Sequence, residues 1–266
     1  MNALQEKARE LLATKTVRVV IGYGPGSGGQ ARALFVREAA QARELIFDET
    51  CLQNLAVYLM KPDVRQLGKA ALVARPATLR TLLQLAAENQ LEENSLLALV
   101  PGADGVLSLS TFSALEAQVA SQDNELSVAE KSELEKFAAM GLDARREFWQ
   151  EQFSRCLKCY ACRAACPLCY CTRCTVECNQ PQWIPVPAHD LGNLEWNVMR
   201  AMHLAGRCTN CGDCSRACPV GIPLYLLNQK LILDVSANFN SRSGMTAKAD
   251  HSLSTFKPDD PEDFIK

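Results

Sequence analysis

Residues 156–167 read CLKCYACRAACP and residues 208–219 read CTNCGDCSRACP. Both set four cysteines apart by two, two and three residues and follow the last with proline. The first run is Cys156, Cys159, Cys162, Cys166 and Pro167; the second is Cys208, Cys211, Cys214, Cys218 and Pro219. Between them CYCTRCTVEC supplies Cys169, Cys171, Cys174 and Cys178. Twelve of the 13 cysteines therefore crowd between Cys156 and Cys218, and the remaining one is Cys51. The opening MNALQEKARELLA reads as an amphipathic helix without an apolar signal core, so a cytoplasmic protein is expected and the thiols read as metal or redox ligands, not disulfides. A net charge of −2 over 266 residues argues against a nucleic-acid footprint. No apolar run reaches the ~18 residues of a membrane span.

The doubled spacing is that of chains holding two [4Fe-4S] clusters, in which the fourth cysteine of each run serves the other cluster. Three closely spaced thiols wrap one cube through a tight loop, and the fourth, before a proline that ends the loop, closes the neighbouring cube. The expected sets are Cys156, Cys159, Cys162 and Cys218 for one cluster, and Cys208, Cys211, Cys214 and Cys166 for the other. Cys169, Cys171, Cys174 and Cys178 suffice for a third [4Fe-4S] cluster or one zinc, with free thiols beside the clusters as a further reading. Arg155, Lys158, Arg163, Arg173, Arg207 and Arg216 flank these positions, either offsetting cluster charge or forming a solvated rim.

The rest of the chain predicts an α+β protein. Residues 1–118 form a small α/β domain for partner docking, 119–150 a helical connector, 151–238 a mostly helical two-cluster domain, and 239–266 an extended acidic tail. VRVVIGY, ARALFV, KAALVA and SLLALVPG read as strands, REAAQARELIF (37–47) as a helix, and Leu79, Leu82, Leu83 and Ala86 as the stripe of a helix capped by Thr78. Ser127 with Glu130 makes a capping box, and Gly141 a helix stop. In the insert between the two runs, Leu191, Leu194, Val198, Met202 and Ala205 fall on one helical face. Gly24, Gly26 and Gly29 fit a dinucleotide fingerprint, but a strand-like stretch follows, and a hairpin is the better reading. Cys51 reads as an inert buried thiol on a helix. His189, His203 and His251 are scattered, with His203 read as a satisfied core residue. No acid/base pair or nucleophile is present in the sequence pattern, so no catalytic residue is assigned.

CGDCSRACPVGIPL resembles the second motif of helical ferredoxin domains, as in the iron–sulfur subunits of heterodisulfide reductase and succinate dehydrogenase. VIGYGPGSGGQARALFVREAAQARELIFDETCLQNLAVYL resembles the N-terminal region of the beta-subunit family of deazaflavin-coenzyme-reducing hydrogenases and formate dehydrogenases. CLKCYACRAACPLCYC and STFKPDDPEDFI resemble a shorter branch of that family. The resemblance implies a non-catalytic electron-transfer subunit of a heterodisulfide-reductase-like complex of an anaerobe, with flavin-bearing or heterodisulfide-reductase-like partner subunits and in some relatives electron bifurcation. ARPATLRTL (74–82) and Pro101–Gly102 depart from the family, where relatives carry cysteines. The alternative is a flavin-dependent oxidoreductase subunit with its own active site on the α/β domain.

Overall fold

A computed structural model describes residues 2–122, 126, 128–174, 176 and 181–248. They divide into two compact units, Met1–Gln122 joined by Gly244–Ala249, and Asp123–Ser243. Helix and sheet are both present, as an α+β chain requires.

The first unit opens with α1 (Ala3–Ala13), held by a reciprocal capping box between Asn2 and Gln5 and burying Leu4, Ala8, Leu11 and Leu12. Strands β1 (Val19–Pro25) and β2 (Ala31–Val36) then form an antiparallel hairpin in the register Val20↔Val36 to Pro25↔Ala31. At its turn Gly28 (φ 61°) and Gly29 (φ 74°) occupy the left-handed region that glycine enters cheaply. The glycine-rich stretch is thus a hairpin, because the chain after it is claimed by the sheet edge.

The helix expected over 37–47 does not form; a 3₁₀ stretch at Ala39–Glu44 replaces it. Leu45 is drawn into the core, and the Ile46 N–H donates to Tyr23 O at 2.9 Å, an extended pairing that helical backbone cannot supply. Cys51 likewise lies in a loop and not on a helix. It is fully buried, with its Sγ 3.4 Å from the Asp48 N–H.

Helix α2 (Pro62–Arg65) leads to β3 (Ala70–Val73), α3 (Pro76–Ala87), β4 (Leu96–Gly102), β5 (Gly105–Leu109) and α4 (Phe112–Ala120). The sheet order is β2-β1-β3-β4-β5, parallel between β1, β3 and β4 and antiparallel at both edges. Central strands buried on both faces explain the unbroken apolar runs VVI and AALV. Helix α3 is the crossover between parallel β3 and β4. It starts at Pro76, whose fixed φ and missing N–H suit a first turn, so Thr78 sits inside the helix instead of capping it. Leu79, Leu82, Leu83 and Ala86 are buried as the stripe predicts. The polar side is covered as well: Asn54 Nδ2 donates to Thr81 Oγ1 (2.8 Å) and the Gly244 N–H to Gln84 Oε1 (3.0 Å). Thr246 Oγ1 and the Ala247 N–H both donate to Glu116 on α4 at 2.8 Å, fixing this returning segment to the unit. The acidic residues 254–266 lie outside the described residues.

The second unit contains α5 (Val128–Ala139), α6 (Leu142–Ser154), α7 (Ala161–Ala164), α8 (Asp190–Met202), α9 (Asp213–Arg216) and α10 (Leu224–Phe239). Ser127 falls outside the described residues, and with it the expected capping box. Gly141 is the N-cap of α6 with φ −64°, so it starts that helix and is not a left-handed stop for α5. Phe137 of α5 meets Phe148 and Trp149 edge-on, and Trp149 stacks on Phe153 at 5.1 Å. One buried apolar nucleus holds Phe153, Cys214, Ile222 and Leu224, with Trp149, Leu194, Cys156, Cys162 and Cys218 against it.

Helix α8 buries only part of the face its apolar residues suggest: Leu194 packs inward against the nucleus. Leu191 (59% exposed), Val198 (37%) and Met202 (53%) face solvent, while Asn193, Trp196, Asn197 and Arg200 are buried. The buried face meets cysteine loops rich in main-chain carbonyls, which need donors more than they need methylenes. Among the described residues no helix is long and apolar enough to cross a membrane.

Candidate metal centre

The two cysteine runs take one backbone shape. In the first, Lys158 (φ 48°) and Tyr160 (φ 58°) adopt the left-handed conformation, and a four-residue helix, α7, follows. In the second, Asn210 (φ 58°) and Gly212 (φ 77°) do the same before the four-residue α9. Alternation of right- and left-handed residues turns successive N–H groups to one side, making the concave nest that suits phosphate and iron–sulfur anions. Asparagine and glycine tolerate this geometry; lysine and tyrosine do so only where surroundings hold them. The Tyr160 ring is held edge-on by Trp196 at 4.8 Å, and Lys158, 8% exposed, is held by donation from Nζ to Pro185 O.

The folded loops bring together members of different runs. Cys218 of the second run packs with Cys156 and Cys162 of the first in one apolar nucleus. Cys166 of the first run is close enough to Cys208, Cys211 and Cys214 to act on their ionisation. Cys159 is exposed at the loop surface. Main-chain and amide donors point at the sulfurs: Lys158 N–H at Cys156 (3.5 Å), Ile222 N–H at Cys218 (3.4 Å) and Asn228 Nδ2 at Cys214 (3.5 Å). Burial raises the thiols of Cys162 and Cys214, pushes Cys208 up to about 12 and raises Cys211 well above its ordinary range. Cys166 is lowered, chiefly because the Cys169 thiol donates to it, and Cys169 is correspondingly raised.

These features fit anionic clusters. Thiols that resist ionisation in the bare protein become thiolates once iron supplies the positive charge. Among the described residues no three His, Cys, Asp or Glu side chains converge on one metal-ion position.

Three members of the middle group, Cys169, Cys171 and Cys174, line a cavity of about 320 Å³ together with Arg173, His203 and Arg207. Cys178 lies outside the described residues. His203 is exposed at the C-cap of α8, not a core residue; His189 caps the same helix, its Nδ1 accepting from the Gly192 N–H at 3.4 Å. His251 is outside the described residues.

The flanking cations mostly staple loops. Arg155 donates to Val220 O (3.3 Å), Arg163 to Cys171 O (2.8 Å), Arg207 to Leu168 O (3.3 Å) and Arg216 to Cys211 O. Arg173 is exposed. Two buried residues of α8 escape a reading based on neighbours in sequence. Asn193 Nδ2 donates to Phe153 O (3.0 Å) and Cys156 O (2.9 Å), satisfying carbonyls at the end of α6. Arg200 Nη2 donates to Cys162 O (2.9 Å). Both lie more than thirty positions from their partners, and the only sequence signal was a polar residue on an otherwise amphipathic helix.

Residues 168–223 match the family described as a 4Fe-4S dicluster domain. The chain is similar to the F420-dependent formate dehydrogenase subunit beta of Methanocaldococcus jannaschii, 36% identical over 90 residues, covering 34% of this chain and 23% of that protein. It is also similar to the F420-dependent formate dehydrogenase 1 subunit beta of Methanococcus maripaludis, 42% identical over 33 residues, 12% of this chain and 8% of that protein. The chain thus spans less than a quarter of either relative. An iron–sulfur electron-transfer subunit carrying a dicluster domain is the class these similarities support.

Proposed function

We propose that the chain relays electrons between partner subunits of a larger oxidoreductase of the heterodisulfide-reductase-like kind, bifurcation at a partner's flavin included. Cys156, Cys159, Cys162 and Cys218 would hold one [4Fe-4S] cluster, and Cys208, Cys211, Cys214 and Cys166 the other. The observation that carries this reading is the crosswise meeting of the runs, Cys218 against Cys156 and Cys162 and Cys166 beside Cys208, Cys211 and Cys214. Each cluster, when bound, supplies a one-electron redox centre. The protein's part is to hold the thiols at two nests, aim N–H donors at the sulfurs and keep water from the buried ones. The α/β unit would dock partners in the cytoplasm of an anaerobe, and Cys169, Cys171, Cys174 and Cys178 would hold a third cluster or a zinc.

A second allotment has its own support. The dicluster match opens at residue 168, after Cys166, and so takes in the middle group and the second run. In that allotment Cys171, Cys174 and their neighbours replace the first run.

Iron and acid-labile sulfide analysis of anaerobically purified protein tests the reading. About eight irons are expected for two clusters and about twelve for three. Cys159→Ser should remove or alter one cluster's EPR signal and Cys171→Ser should leave both dicluster signals intact; the reverse outcome establishes the second allotment. Iron-free protein, or clusters that stay oxidised while the assembled complex turns over, overturns electron transfer. A flavin absorbance in the isolated chain would instead favour catalysis on the α/β unit.

A further inference from the structure

Arg200 is 5% exposed on the inner face of α8, and it stands among cysteines of both expected cluster sets. Its Nη2 donates to Cys162 O at 2.9 Å, within the first set. Cys162 in turn packs on the nucleus that holds Cys214 of the second set, Arg200 lines a cavity with Cys169 of the middle group, and its charge reaches Cys166, Cys208 and Cys214. No carboxylate pairs with it in any ion pair among the described residues, and its Nε is buried with no hydrogen-bond partner. A buried guanidinium with no anion is costly, because the ion loses its hydration and gains nothing opposite in sign. Thiols surround it: Cys166 is eased toward its thiolate by the Cys169 thiol, while burial holds Cys162, Cys208 and Cys214 protonated until metal binds. Metal-thiolate anions of both sets would supply the opposing charge that the buried guanidinium otherwise lacks.

We propose that Arg200 is the shared counter-charge of the two cluster sites, a positioning residue that raises the reduction potentials of both clusters and so keeps them matched for electron passage. The inference rests on the reading that the eight cysteines hold clusters. Reduction adds a negative charge to a cluster, and a fixed positive charge nearby favours the added electron. Arginine stays protonated at any working pH, so the effect does not titrate away. Lys158 offers a contrast within the same unit. It is buried beside Cys156 of the first set and within reach of the Glu195 carboxylate, its Nζ donating to Pro185 O and its pKa lowered by burial.

The test is a potentiometric titration of the full chain, purified anaerobically with its clusters, followed by EPR. Arg200→Met should lower both cluster potentials with iron content unchanged. About a tenfold fall in each reduction equilibrium, 59 mV for a one-electron couple, is expected. Arg200→Lys, which keeps the charge and loses the forked donor, should recover most of that shift. Lys158→Met should lower only the potential assigned through Cys159→Ser. The inference is overturned if Arg200→Met retains iron with both potentials unmoved, if only one moves, or if Arg200→Lys behaves as Arg200→Met. Should Arg200→Met lose iron, the lysine variant decides: wild-type potentials support the shared charge, and shifted ones show a purely structural role. Wild-type protein without clusters is a failure of the functional reading and is told apart at the first iron assay.

Discussion

The two units are held together by different means. In the first, Ile21, Leu72, Leu79, Leu82, Leu83 and Leu99 are wholly buried between a sheet and the helices on it, a core sufficient by itself. In the second, buried aliphatics such as Leu168, Leu204, Ile222 and Leu226 share the interior with many buried polar groups: Asn193, Asn197, Arg200, Asp213, Asn228 and Gln229. Several of these keep a buried atom without a partner, among them Asn193 Oδ1, Asn228 Oδ1 and Arg200 Nε. A hydrophobic core completes itself as the chain collapses, whereas a polar interior needs a partner for each buried polar atom.

Removing the metal should separate the two most sharply. With iron chelated under reducing conditions, amide exchange in α6, α8 and α10 should accelerate to near the unfolded rate while β1, β3 and β4 keep their protection. Equal loss in both units would mean that the contrast in core composition does not govern stability.

The converse perturbation is Leu83→Ala in α3. Deleting a wholly buried leucine should cost about 2–5 kcal/mol, read as a lowered denaturation midpoint for the sheet unit with iron content unchanged. A matching loss of iron would show the units to be energetically coupled.

Smaller effects resolve the two loops. Gly212 has φ 77°, so Gly212→Ala should destabilise the second loop by about 1–2 kcal/mol, seen as faster cluster loss on exposure to a chelator. Tyr160→Gly relieves similar strain in the first loop (φ 58°) but forfeits the Trp196 ring contact, worth about 0.5–1.5 kcal/mol, so the net change should be small. A large loss there would mean that the aromatic contact outweighs the backbone.

The smallest expected effect concerns Cys51. Burial raises its thiol above the ordinary range, so it stays protonated and unalkylated by iodoacetamide at pH 8 until the sheet unit unfolds. The sign follows: a raised thiol contributes stability below its ordinary pKa and loses it as pH climbs through the folded value. Alkylation at the rate of a free thiol would place Cys51 in an opened segment.

Periodicity found the strands and the α3 stripe because each is a local pattern, read from residues two, three or four apart. It missed where the chain obeys a distant partner. The 37–47 segment prefers helix by composition, yet Tyr23 and the core claim Leu45 and Ile46 for an extended path. Leu191, Val198 and Met202 of α8 mark a face that stays exposed, since the opposite face has carbonyls of the cysteine loops to satisfy.

By itself the sequence determined the chemistry on offer: two identically spaced cysteine runs with their prolines, a third group between them, and one thiol apart. Spacing is a covalent property, and it limits which thiols one tight loop can present. The spacing also carried the expectation that the runs meet crosswise; what only the tertiary structure decided is the company the thiols keep. It set Cys218 against Cys156 and Cys162, and it placed Arg200 among cysteines of both runs from a helix in the insert between them. Charges and donors act through space, over distances the order of residues along a chain does not record.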